Sequence, residues 1–197
     1  IRLYDQYVAP NKTEGLIQAW AMSLKAGALR RTKQEAESAY LFAQVFDVCP
    51  SKRPQAYLSW GISTDENWEK ALGFCKTDKE KAALYVMRAI NPSAATLEDV
   101  EMVYKLDPST EMLDLLLVRE INKLESDLFG FRFNENLPIN TGYFGFPESK
   151  TGDRVSQLLN FIQQGIKQKK VHDPELWAIA GGYLQFLNGK FDNATTT

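Results

Sequence analysis

Asp173 to Ala194 reads DPELWAIAGGYLQFLNGKFDNA, and this stretch decides the fold. Asp173 is a helix cap with Pro174 at the first helical position, where a missing N–H costs nothing. One helix follows, then a tight turn at Asn188-Gly189, then the start of a second helix. Gly181 and Ala194 are small where two helix backbones must meet, and Trp177 and Phe191 fill the space beside them.

Helical spacing continues upstream. Residues 14–31 are predicted as a helix, with Leu16, Ala19, Trp20, Leu24, Gly27 and Ala28 as its apolar stripe. Residues 34–48 are its partner, with Ala36, Ala39, Tyr40, Ala43 and Phe46 on one face and Pro50 ending it. The polar link Arg30 to Lys33 is short enough for a helical hairpin. A second pair covers 65–76, capped by Asp65, and 78–90, started by Thr77 or Asp78. Trp68, Ala71, Leu72 and Cys75 line the first member, and Ala82, Tyr85, Val86 and Ala89 the second. A helix at 96–106, capped by Thr96, precedes a long one at 109–127. The long one carries the strongest period, Leu113, Leu116, Leu117, Ile121, Leu124 and Leu128. Helix returns at 153–169 with Val155, Leu158, Leu159, Ile162 and Ile166 inward.

Residues 129–151 break this pattern. Glycines and prolines are frequent there, and Phe129, Phe131, Phe133, Tyr143, Phe144 and Phe146 crowd into it. The segment is read as a long loop, with a short strand at Phe129-x-Phe131-x-Phe133 as the alternative. Two roles stand side by side. The rings seal the groove between the 109–127 and 153–169 helices, or they form a binding element of low entropy cost. The six aromatics are therefore the candidate binding residues.

The tail resembles a tetratricopeptide (TPR) repeat. That motif places Trp, then Leu-Gly, then Tyr on the first helix, and Gly, an aromatic and Ala on the second. Here the positions hold Trp177, Ala180-Gly181 and Leu184, then Gly189, Phe191 and Ala194. Ala stands for Leu and Leu for Tyr. Upstream, Ala26-Gly27 takes the Leu-Gly place, and Cys49-Pro50, Asn91-Pro92 and Asp107-Pro108 resemble the proline-marked joints between repeats. Pro50, Pro92 and Pro108 are 42 and 16 residues apart, against a regular period of about 34. The resemblance implies an all-α fold, an α-solenoid of irregular TPR-like helix-turn-helix pairs with one long aromatic-rich loop. Its expected organisation is repeats over 1–128, the loop over 129–151 and further repeat-like helices over 152–197. Ile1 and Thr197 are read as the ends of a piece of a longer protein.

Composition narrows the function. Of 197 residues, 44% are apolar and 24% charged, so a core can be buried. The net charge of −2 argues against bulk electrostatic binding of nucleic acid. No apolar run reaches the length of a membrane span. His172 stands alone in a linker and is expected to face solvent, without Cys or His at metal-ligand spacing. No phosphate-loop, nucleophile-elbow or dinucleotide motif is present. Acidic groups such as Glu98/Asp99/Glu101 and Asp65/Glu66/Glu69 fall in first helical turns, where the helix dipole favours them. Arg30, Arg31 and Lys33, and Lys167 to Lys170, sit at helix ends for the opposite reason. Cys49 and Cys75 are expected to be free thiols. Asn11-Lys12-Thr13 and Asn193-Ala194-Thr195 fit the glycan-acceptor pattern.

The expected function is a non-catalytic protein-interaction or assembly scaffold, using the concave face of the array on a protein or peptide partner. No cofactor and no metal are expected. The competing expectation is an exported glycan- or nutrient-binding protein of the SusD-like class. That resemblance implies Trp60, Trp68 or Tyr143 exposed as a sugar platform, and with it comes a lean toward an exported location.

Overall fold

The computed structural model describes residues 1–10, 15–91, 97–129 and 151–188. The side chains of 126–129, 151 and 152 lie outside that description. Every regular element among the described residues is helical. They are a π-helical turn Tyr4–Val8, α1 Leu16–Arg31, α2 Glu35–Val48, a 3₁₀ turn Pro50–Lys52, α3 Arg53–Ser59, α4 Asp65–Phe74, α5 Asp78–Ala89, α6 Glu98–Leu106, α7 Glu111–Phe129, α8 Thr151–Gln168 and α9 Pro174–Leu187. The chain divides into two compact units, Ile1–Arg88 and Ala89–Thr197. No helix among the described residues is long and apolar enough to cross a membrane.

In the first unit α1 and α2 form the expected hairpin. α1 ends in a Schellman turn. Gln34 N–H reaches back to the Leu29 carbonyl at 2.9 Å and Lys33 N–H to that of Arg30 at 3.1 Å. The turn puts Lys33 in the left-handed region at φ 62°, a conformation that costs an L-residue roughly 1–2 kcal/mol.

On the α1 side the interior of this hairpin is made largely of small residues. Ala19, Ser23, Ala26 and Leu29 of α1 are buried, opposite Ala36, Ala39 and Ala43 of α2. Ser38 Oγ donates to the Ala26 carbonyl across the contact at 2.9 Å. The expected stripe of α1 is corrected accordingly: Ala19 points inward, while Leu16, Trp20 and Leu24 point out. Small side chains let α2 approach on the Ala/Ser side, and that close approach outweighs the hydropathy of the bulky stripe. Gly27 lies at no close contact, since a Cβ built there meets nothing within 4 Å.

Past Val48 the chain runs through the 3₁₀ turn into α3, a short helix that the sequence reading missed. Pro50 ends α2 as expected, but Pro54 sits in the first turn of α3, where proline is tolerated. At α4 the cap is Thr64 rather than Asp65. Thr64 Oγ1 accepts from Asn67 N–H at 3.2 Å. Asp65 and Glu66 fill the first turn instead. Thr77 caps α5, accepting from Glu80 N–H at 3.2 Å. Trp68 is sandwiched on α4, edge-on to Tyr85 at 5.2 Å and with the Arg88 guanidinium 3.8 Å from its ring.

The second unit is packed with large side chains. Leu113, Leu116, Leu117, Ile121 and Leu124 of α7 are buried as the period predicted, and so are Val155, Leu158 and Ile162 of α8. Tyr104, Phe161 and Trp177 form an aromatic cluster with ring centroids 5.2–6.2 Å apart. Trp177 is fully buried and packs against Gly165. A Cβ at Gly165 would come within 2.5 Å of both Trp177 Cζ3 and Cε3, with Val171 Cγ1 at 3.2 Å. Asp173 caps α9 as predicted, its Oδ1 accepting from Leu176 N–H at 3.0 Å. Gly181 is buried on α9, and Ala194 lies outside the described residues.

Candidate functional site

Of the six candidate aromatics, Phe131, Phe133, Tyr143, Phe144 and Phe146 lie outside the described residues. Phe129 closes α7, with its side chain also outside the description. Both glycan-acceptor triplets lie outside it as well. Of the sugar-platform residues, Trp68 is buried, because Tyr85 and Arg88 cover it. That ring is corrected from platform to core. Trp60 is half-buried with its Nε1–H enclosed and unpaired, and Tyr143 is outside the description.

What the described residues do present is the outer side of α1. Leu16, Ile17, Trp20 and Leu24 are spaced so that one side of the helix carries all four. Their exposures are 58, 85, 49 and 75%. This face exists because the Ala/Ser face took the interior. The Lys52 ammonium stands 4.3 Å from the centroid of the Trp20 ring. The exposed Arg30 and Arg31 close the C-terminal end of the same helix. Arg30 donates through Nη1 to the Ser59 carbonyl. The π-helical turn is tied to α1 by Lys25, paired with Asp5 at 2.9 Å and with Glu37 of α2 at 3.1 Å.

The second unit holds a different arrangement. Glu120 and Lys123, one turn apart on α7, form a buried ion pair, with Lys123 1% exposed. Burial pulls the Lys123 ammonium below the ordinary lysine range. The nearby Arg119 and Arg154 cations add to that, and Glu120 works against it. Arg119 keeps its Nε and Nη2 buried without a hydrogen-bond partner among the described residues. Sequence reasoning passed over this group. The signal was available: Glu120 and Lys123 interrupt the helical period that runs through Leu113 and Leu116.

His172 is exposed as expected, yet it is not isolated. Its Nδ1 lies 2.8 Å from Asp114 Oδ2 on α7, and Trp177 Nε1–H donates to Asp114 Oδ1 at 2.9 Å. Cys49 and Cys75 are both free. Burial, helped by the Glu80 carboxylate, pushes the Cys75 thiol up to about 11. Among the described residues no group of three or more His, Cys, Asp or Glu is placed to hold a metal ion. Comparison of the chain with protein-family models, with curated proteins and with solved structures gives no match.

Proposed function

We propose that the chain is a non-catalytic interaction module that docks another protein on the outer face of α1. The observation that carries this reading is the exposure of Leu16, Ile17, Trp20 and Leu24 on one side of a helix whose opposite side is buried. Single exposed apolar residues are ordinary, whereas a contiguous group marks a contact surface. Covering it removes apolar area from water at about 25 cal/mol per Å². The cations beside it, Lys52 over Trp20 and Arg31 at the helix end, fit a partner whose own apolar stripe is bordered by carboxylates. A TPR-like solenoid with a concave face stands beside this proposal as an expectation from the tail, and an exported location as one from the SusD-like resemblance.

The test is the double substitution Ile17→Asp and Leu24→Asp. Both positions are exposed, so unfolding should move by no more than about 0.5 kcal/mol. A protein captured by the wild-type chain, then purified and rebound, should lose at least about tenfold in affinity for the variant. Unchanged rebinding removes α1 as the docking face. Binding to a glycan panel that disappears in Trp20→Ser, with no protein partner captured, replaces this reading with the sugar-binding one.

A further inference from the structure

Arg119 in the second unit carries a further site. Nε and Nη2 are the two nitrogens on one edge of its guanidinium, and both are buried with no acceptor among the described residues. A guanidinium cannot shed its charge near neutral pH. An enclosed charged donor without an acceptor is among the costliest groups to leave unpaired, and native structures rarely do so without a ligand or ion to explain it. The neighbours make the gap specific. Lys123 follows Arg119 by four residues on α7, close enough on that helix face for their charges to interact, and Arg154 of α8 lies within the same reach. The Glu120 carboxylate nearby is engaged by Lys123.

The geometry points to a binding site for a small oxyanion, a carboxylate or phosphate group whose two oxygens bridge Nε and Nη2 of Arg119 while Lys123 and Arg154 supply positive potential around it. That edge of a guanidinium offers two parallel N–H donors at the spacing of two oxygens on one carbon or phosphorus. Lysine at the same place would provide charge without the fork. Arg119 as a whole is half-buried, so a side-chain shift brings the edge to an anion entering from solvent. This site is independent of the α1 face and stands or falls separately.

The experiment is thermal unfolding of the full chain at constant ionic strength in sodium chloride, sodium phosphate or sodium acetate. An anion at tenfold its dissociation constant should raise the midpoint by on the order of 3–6 °C over chloride. A rise in phosphate alone assigns a phosphate-bearing ligand, and a rise in acetate alone a carboxylate. Arg119→Leu should abolish the rise. Arg119→Lys, which keeps the charge and loses the fork, should retain less than half of it. An equal midpoint in all three salts, or an undiminished rise in Arg119→Leu, overturns the site. Should Arg119→Leu not fold, the Arg119 Nε–H resonance of the wild-type chain decides: it moves during the anion titration, or the proposal fails.

Discussion

Both units bury large side chains, but α1 of the first and α7 of the second meet their neighbours in opposite ways. In the first, Ala26, Ala39, Ala43, Ala56 and Ala71 are buried, and much of the bulk of α1 is turned outward. In the second, leucines, Phe161 and Trp177 fill the interior, and Trp177 packs closely on Gly165. Alanine interfaces gain from short distances between backbones, and leucine interfaces gain from area removed from water. Hydropathy detects only the second kind. A helix packed through alanine therefore leaves its large residues available for something else.

The sharpest way to break this contrast is to shave one tryptophan from each unit. Trp177→Ala should cost about 3–5 kcal/mol in denaturant unfolding, because a fully enclosed ring leaves a cavity. Trp20→Ala should cost less than about 0.5 kcal/mol, as for an exposed side chain. Similar losses from both would show that the α1 face is packed in solution.

The glycines give the next largest effect, and with opposite signs. Gly165→Ala drives a methyl into Trp177 and should cost about 1–3 kcal/mol. Gly27→Ala meets no neighbour and should stabilise by about 0.5–1 kcal/mol through helix propensity. In a Trp177→Ala background the penalty at Gly165 should largely vanish, a coupling readable from a double-mutant cycle. A destabilising Gly27→Ala would restore that glycine as a close contact.

The smallest effect is chemical. Cys75 has its folded pKa raised from 9.0 to about 11. Its contribution to stability is thus present below pH 9 and is lost as pH rises through about 11. Alkylation of the folded chain at Cys75 should follow that shifted ionisation, and Cys75→Ala should flatten the alkaline decline in stability between these values. A Cys75 alkylation profile centred near pH 9 would place the thiol in water.

Legibility in the sequence followed the same divide. The α7 and α8 stripes were readable because leucine and isoleucine mark a buried face unambiguously. On α1 the same rule chose Leu16, Trp20 and Leu24 together with Ala19, whereas only Ala19 of these is inward and Ser23, Ala26 and Leu29 complete the inner face. Nothing in their hydropathy separates alanine packed tightly from alanine idle in solvent. α3 was hidden because Pro50 reads as a stop, whereas Pro54 just after it falls in a first turn, where proline is tolerated. Gly165 was invisible because its role depends on Trp177, twelve residues away in sequence. The unpaired edge of Arg119 is likewise a property of assembled helices, since the neighbouring Lys123 feels charges from both α7 and α8.

Asp114 gives the second unit an indexing pin. Leucines at 113, 116, 117 and 124 make one turn of α7 look much like the next. A partner helix could slip along such a surface by about 5.4 Å and find comparable grease. Asp114 forbids the slip. One oxygen holds the indole of α9 and the other meets the imidazole just ahead of that helix. A shift by one turn strips both at once and strands a carboxylate that is largely enclosed. A single side chain thus sets the gearing between two helices whose apolar teeth are nearly interchangeable.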